Sequence, residues 1–232
     1  MIGGLTVPVE SPTLYQIESR LRSASRTPLP GADAHRLLAP RPRPGWRPGE
    51  VPDHATPAAA LVLLYPLDDA PHVLLTVRAG RLGKHAGQVS FPGGLVDAGE
   101  SIREAALREA FEEVGLAPEA VRVVGPLSPL YITVSNFAIH PVAGISEATP
   151  HLRPSVAEVA RLLPVPVAEV ADPRNLRRGS RWRDSLHCDV PYFEVRNERV
   201  WGATAMVLAE LLVMLGLGPR APWAAMVAAD SR

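Results

Sequence analysis

Cysteine and net charge are what this sequence has least of. Its 232 residues include one cysteine, Cys188, which excludes an intrachain disulfide and predicts a small, buried, apolar side chain. Lysine and arginine together number 24, as do aspartate and glutamate, so the formal net charge is zero. Proteins whose main partner is nucleic acid usually carry excess positive charge. The balance therefore argues against a nucleic-acid partner, although it is compatible with a local basic patch.

The sequence also lacks a long, uninterrupted apolar run. Its longest apolar stretch, residues 200–218, has Glu210 in its middle and is followed by proline, which predicts a core helix and not a membrane span. The first ten residues have neither a basic start nor an apolar core, so they do not predict a signal peptide. With no disulfide and no anchor, the expected location is the cytoplasm.

Composition divides the chain into three regions. Residues 1–55 form a Pro/Arg-rich N-terminal extension with a short helix at Leu14–Ala24, after which proline predicts a surface segment without regular structure. Residues 56–218 contain the apolar strand and helix patterns of a folded domain. Residues 219–232 form a C-terminal tail.

The folded region mixes strands and helices without a regular βαβ alternation. This order favours an α+β fold, or a sandwich of sheet and helices, over a doubly wound sheet. The predicted elements are strands at 58–67 and 72–78, a helix at 101–114, a strand-rich stretch at 121–145, a strand and helix within 156–171, a hairpin within 181–202 and a last helix at 204–217.

The helix at 101–114 has well-marked ends and an acidic turn. Ser101 and Glu104 have the spacing of a capping box, and Gly115 is well placed to end the helix. Glu109, Glu112 and Glu113 follow the i, i+3, i+4 spacing, which places three carboxylates within one turn. The opposite, apolar face is predicted to consist of Leu107, Ala110, Phe111 and Val114.

Three carboxylates this close repel one another. The repulsion destabilises a helix by about 0.2–0.5 kcal/mol per pair, and Arg103 and Arg108 offset part of it. A hard divalent cation would offset far more, because carboxylate oxygens are its preferred ligands. The alternative is a solvated helix face with Arg–Glu pairs.

The frame around these glutamates resembles the Nudix box, G-x5-E-x7-R-E-U-x-E-E-x-G-U, in which U is apolar. Ala110 and Leu116 fill the apolar positions. Every fixed position is matched, by Gly94, Glu100, Arg108, Glu109, Glu112, Glu113 and Gly115.

The resemblance implies the Nudix fold, an α+β architecture in which a mixed β-sheet is sandwiched between α-helices. It also implies a metal site of Mg²⁺ or Mn²⁺ bound by Glu109, Glu112 and Glu113, with a backbone carbonyl of the turn at Gly94. The cation would neutralise the charge of a diphosphate and activate a water. Glu100 and Arg108 would support the loop and orient a glutamate.

The catalytic base varies within this family, so the box alone does not identify it. It is either a box glutamate or a carboxylate from another loop. Glu158, which precedes a strand-like run ending at Pro166, is the candidate outside the box. The alternative for Glu158 is an exposed glutamate with a structural role.

The segment before the box resembles the coenzyme A pyrophosphatase branch, whose signature is L-L-T-x-R-[S/A]-x3-R-x3-G-x3-F-P-G-G. One position departs from it, because the second arginine falls on Gly83. Arg81 and Lys84 are near enough to supply that charge. The resemblance implies a substrate site made of Thr76, Arg78, Arg81, Lys84, His85, Phe91, Gly93 and Gly94.

The implied reaction splits coenzyme A, or an acyl or oxidised form, into adenosine 3′,5′-bisphosphate and 4′-phosphopantetheine. The alternatives are a Nudix hydrolase for NADH, a nucleotide sugar or an oxidised nucleoside triphosphate, and a non-catalytic nucleotide-binding module. The expected partner is thus a small molecule and not a membrane or nucleic acid. A homodimer formed through the N-terminal extension is compatible with the sequence.

Overall fold

A computed structural model describes residues 11–80, 87–183 and 186–218. In these ranges the chain forms an α+β fold in which helices cover both faces of a mixed sheet, as the sequence predicted. No helix in the described ranges combines the length and apolar character needed to cross a membrane.

The described ranges contain two sheets. The main sheet has β1 (Thr56–Leu67), β2 (Ala70–Arg78), β3 (Val89–Ser90), β4 (Gly93–Leu95), β5 (Arg122–Pro126), β6 (Leu130–Ile132), β7 (Phe137–Ile145) and β8 (Val159–Pro166). The small sheet has β9 (Leu176–Arg183), β10 (Leu186–Val195) and β11 (Glu198–Trp201). The helices are α1 (Leu14–Ala24), α2 (Gly31–Leu38), α3 (Ile102–Val114), α4 (Val167–Ala171) and α5 (Gly202–Met214).

Strand β1 is central to the main sheet. It runs parallel to β7 along one side and pairs antiparallel with β4 and then β2 along the other. The remaining contacts of β2 are antiparallel, with β3 and β8. This arrangement brings the end of β2, strand β4 and the start of β8 to one end of the sheet.

Each face of the sheet has its own core. On one face, the small residues Ala105, Ala106 and Ala110 let α3 lie close to Leu61 and Leu63 of β1. On the other, α5 packs with α1 and α2 over a larger core. Burying these apolar side chains stabilises the sandwich at about 25 cal/mol per Å² of apolar surface removed from water.

The N-terminal extension contributes to this larger core. Helix α1 begins with a capping box at Thr13 and has the predicted bounds, with Ile17 and Leu21 fully buried. The prediction that the following segment lacks regular structure was wrong over residues 31–38. Those residues contain no proline, and the spacing of Ala34 and Leu38 presents an apolar face to α5, so they form α2.

A buried polar contact joins α2 to α5. The Glu210 carboxylate lies 3.0 Å from His35 Nε2 and accepts hydrogen bonds from the Ser128 backbone N–H at 3.0 and 3.2 Å. Glu210 and His35 are both nearly inaccessible to solvent. The acidic residue that interrupts the apolar run is therefore a satisfied core group.

Two further predictions need correction. The hairpin predicted within 181–202 belongs to a three-stranded sheet, because β9 extends back to Leu176 and β11 adds a third strand. The apolar face predicted for α3 was wrong at Phe111, which is 55% exposed, whereas Glu113 is buried. The helix is rotated so that its alanines face β1. Cys188 is buried, as predicted.

Candidate active site

The two ends of helix α3, which carries the acidic residues, are fixed by local interactions. Ser101 accepts a hydrogen bond from the backbone N–H of Glu104, and the Glu104 side chain accepts one from Ser101 N–H, which completes the predicted capping box. Gly115 ends the helix in the left-handed conformation, with φ 68°, which glycine adopts without strain. Local sequence therefore determines which turn carries the three glutamates.

Arg108 ties the loop before the helix to the acidic turn. Its guanidinium donates to both carboxylate oxygens of Glu100, at 2.9 and 3.0 Å, and to the Leu95 carbonyl at 2.9 Å. It also donates to Glu109 at 2.9 Å and Glu112 at 3.2 Å. The hydrogen bonds from Arg108 to Glu100 hold the pKa of Glu100 below its usual value. The Leu95 carbonyl was not predicted, because a backbone group leaves no residue-type signal.

Gly94 leaves room for the Glu109 carboxylate. A Cβ at Gly94 would lie 2.5 Å from Glu109 Cδ and from both carboxylate oxygens. Burial raises the pKa of Glu109, although Arg108 opposes this shift. Strand β4 thus brings its backbone directly against an acidic side chain that is costly to ionise.

Glu113 is the most deeply buried carboxylate of the cluster, with 3% of its side chain exposed. Its Oε1 lies 3.8 Å from Nη1 of Arg78, while its Oε2 is buried without a hydrogen-bond partner in the described structure. Burial raises the Glu113 pKa to about 7, with Arg78 opposing and the charge of Glu158 adding to the shift. An orphaned, buried carboxylate oxygen is costly.

Glu158, proposed from sequence as a candidate outside the box, lies beside this cluster. Its backbone carbonyl accepts a hydrogen bond from Ala79 N–H at 2.8 Å, and the next residue, Val159, pairs with Arg78. Its negative charge also raises the pKa of both Glu109 and Glu113. Three carboxylates from two separate segments therefore share one electrostatic environment.

The donor set fits a divalent cation. Within the described ranges, no three acidic, histidine or cysteine side chains already converge on one point, and Glu112, which is 51% exposed, is bonded to Arg108. The orphaned Glu113 oxygen and the raised pKa values of Glu109 and Glu113 are nevertheless what a hard cation would relieve.

The structure distributes the remaining predicted substrate residues differently. Thr76 is buried in β2, where its hydroxyl donates to the Ser90 carbonyl at 3.3 Å, and Phe91 lies in the larger core. Gly93 packs on β1, since a Cβ there would lie 2.3 Å from the Ala59 carbonyl oxygen. Arg78, the one basic substrate candidate among the described residues, lies next to the acidic cluster. Arg81, Lys84 and His85 lie outside the described residues.

Comparison with known proteins agrees with this geometry. A family model described as the NUDIX domain matches residues 55–181. An uncharacterized Nudix hydrolase NudL from Citrobacter koseri is 42% identical over 156 residues, which cover 64% of this chain and 78% of that protein. Its namesake from Enterobacter sp. is 39% identical over 168 residues, or 69% and 84% of the two chains.

The chain is also similar to a solved structure. The crystal structure of a Nudix hydrolase from M. smegmatis, RenU, is 28% identical with a TM-score of 0.44, covering 51% of this chain and 74% of that one. The family match spans more than half of the chain and includes the whole acidic cluster. The chain belongs to the Nudix family of pyrophosphohydrolases, enzymes that generally use divalent metal ions to hydrolyse small nucleotide derivatives.

Proposed function

We propose that this enzyme hydrolyses the diphosphate bond of coenzyme A, or of an acyl or oxidised form, to adenosine 3′,5′-bisphosphate and 4′-phosphopantetheine. One observation carries the proposal. Arg78, from the strand that resembles the coenzyme A pyrophosphatase signature, lies 3.8 Å from Glu113 of the Nudix box. A residue of the segment that suggests coenzyme A as substrate, Arg78, thus lies next to a residue of the proposed metal site, Glu113.

Glu109, Glu112 and Glu113, with the Gly94 carbonyl, would hold Mg²⁺ or Mn²⁺. When bound, the cation would neutralise diphosphate charge and lower the pKa of an attacking water. Glu113 offers a buried oxygen without a partner, and Gly94 provides the close approach to Glu109. Glu112 would have to release its 3.2 Å contact with Arg108 to join them.

Side chains of the protein would bind the phosphate, orient Glu109 and supply the catalytic base. Arg78 is 30% exposed and would bind a phosphate oxygen at the mouth of the site, since a guanidinium suits bidentate phosphate binding. Arg108 and Glu100 would orient Glu109 through their hydrogen bonds. Glu158 is the proposed base, because its carboxylate belongs to the cluster electrostatically and lies outside the box.

The test is an assay on coenzyme A with and without Mg²⁺ or Mn²⁺, with both products identified by mass. Cleavage that requires the metal and gives the two products above is expected. Glu158→Gln should lower kcat by about 100-fold or more if Glu158 is the base, whereas the exposed Glu119→Gln serves as its control. Unchanged kcat in Glu158→Gln would indicate that a glutamate of the Nudix box is the catalytic base.

A second candidate follows from the one departure in the pre-box segment. Gly83 stands where the signature has an arginine, which favours another nucleoside diphosphate derivative. NADH, a nucleotide sugar and an oxidised nucleoside triphosphate should therefore be assayed beside coenzyme A. Fast turnover of one of these with coenzyme A inert would reject the first proposal.

A further inference from the structure

The outer face of the small sheet carries arginine side chains stacked on aromatic rings. The guanidinium carbon of Arg181 lies 4.5 Å from the centre of the Trp201 ring, and that of Arg199 lies 5.1 Å from the centre of the Tyr192 ring. Neither arginine forms an ion pair with a carboxylate of the described residues. Arg177, on the same strand as Arg181, is instead paired with Glu194 at 3.3 Å.

Stacking on the Trp201 ring restricts the plane of the Arg181 guanidinium, and no described carboxylate forms an ion pair with its N–H groups. A planar, fixed fork of N–H donors matches two oxygens of a phosphate better than a flexible ammonium does. Arg181 is exposed and Trp201 is half-buried beneath it. Among the described residues, the pair is thus a stacked, accessible cation without a neutralising carboxylate.

A chain of contacts connects this pair to the acidic cluster. Trp201 directly precedes α5, and the hydroxyl of Thr204 in the first turn of that helix donates to the Val89 carbonyl at 2.9 Å. Val89 pairs with Val77, the neighbour of Arg78 in β2. Trp201 therefore lies at the edge of the main sheet, next to strand β3 of the pre-box segment.

A pocket of about 180 Å³ adjoins the small sheet at Leu186 and Cys188 of β10. Cys188 lines it and pairs directly with Arg181 across β9 and β10, so both side chains share one face of the small sheet. The other lining residues come from the N-terminal extension, the β6–β7 turn and β10, namely Pro42, Arg43, Pro44, Thr133, Val134 and Leu186. The pocket offers a mainly apolar wall on the face of the small sheet that also carries Arg181.

We propose that Arg181 and this pocket form a second substrate subsite that binds the phosphomonoester on the ribose of coenzyme A and part of the adjoining nucleoside. The inference rests on the proposed function. Arg181 supplies from the small sheet the positive charge that Gly83 does not supply in the pre-box segment. The subsite selects between substrates that have and lack a phosphate outside the diphosphate.

The experiment compares coenzyme A with 3′-dephospho-coenzyme A in steady-state kinetics. Arg181→Ala should raise KM for coenzyme A by about tenfold or more, because a charge-assisted contact to phosphate is lost, and leave kcat unchanged. KM for 3′-dephospho-coenzyme A should stay within about twofold, since that substrate lacks the contact. Arg181→Lys should recover only part of the selectivity.

Arg177→Ala is the matched control, because it removes a guanidinium from the same strand and face whose partner is Glu194. It should leave the ratio of the two KM values unchanged. Equal effects of Arg181→Ala on both substrates, no effect on either, or the same selectivity change in Arg177→Ala would each overturn the inference.

Binding of adenosine 3′,5′-bisphosphate and of AMP, measured by calorimetry, separates this inference from the proposed function. Coenzyme A left intact by the wild type would refute the proposed function. The subsite would still stand if the wild type binds the bisphosphate more tightly than AMP and Arg181→Ala abolishes that difference. Equal binding of the two nucleotides by the wild type would overturn the subsite.

Discussion

Glu113 should make the metal-free protein less stable as pH rises. Its pKa is raised from 4.5 to about 7 by burial, so the folded state favours the protonated carboxyl. The stabilisation is fully present below pH 4.5 and is lost as pH rises through 7. Between pH 5 and 8 this one group should lower the free energy of unfolding by about 2–3 kcal/mol.

The assay is thermal unfolding in the presence of a chelator at several pH values. In a chain of this size 1 kcal/mol corresponds to about 2–4 °C in Tm, so the wild type should lose about 5–10 °C more than Glu113→Gln between pH 5 and 8. The comparison isolates Glu113, because other titrating groups, such as His140 with its lowered pKa, are common to both proteins. Glu119→Gln, at an exposed position, should follow the wild type.

Mn²⁺ supplies the second half of the test. At pH 8 it should raise the Tm of the wild type more than that of Glu113→Gln, because a cation binds the folded state through this carboxylate. Parallel pH curves for the wild type and Glu113→Gln in chelator would refute the reasoning that burial of Glu113 is costly. Equal Mn²⁺ responses would refute its role as a ligand.

Three other perturbations follow from the packing. Gly94→Ala places a Cβ against the Glu109 carboxylate and should raise the Mn²⁺ concentration for half-maximal activity by about 10–100-fold; an unchanged metal titration would contradict this. Glu112→Gln should lower kcat by about 100-fold or more with little change in Tm, since that side chain is half exposed, and full activity would exclude it as a ligand. Deletion of residues 1–50 removes buried core side chains such as Leu38, so cooperative unfolding should be lost; an intact transition would show that the extension is dispensable.

Local signals in the sequence were enough to predict the frame of the site. The Ser101 capping box and Gly115 fix the ends of α3, and both act through neighbouring residues. The spacing of the glutamates then places them on one turn. Glu158 was reached from its position before a strand, and β8 does begin at the next residue.

The burial of individual glutamates was not predictable in the same way. Helical periodicity grouped Phe111 with the apolar face and the acidic residues opposite, but the structure buries Glu113 and exposes Phe111. The rotation of α3 is set by its alanines against β1 and by Arg78 of β2 beside Glu113. Those partners are remote in sequence, so the rotation of α3 cannot be predicted from the sequence of the helix alone.

The proposed division of the chain between catalysis and selectivity is based on where its segments meet. The acidic cluster lies wholly within residues 55–181, which the family model matches. Most of the pocket lining, namely Pro42–Pro44, Leu186 and Cys188, and the stacking ring of Trp201 lie outside that range, whereas Thr133 and Val134 lie within it. The same outer segments are joined in the core by His35 and Glu210. Because the acidic cluster lies on α3 and the sheet, single substitutions at the pocket surface should alter which diphosphate is bound while leaving the hydrolytic chemistry intact.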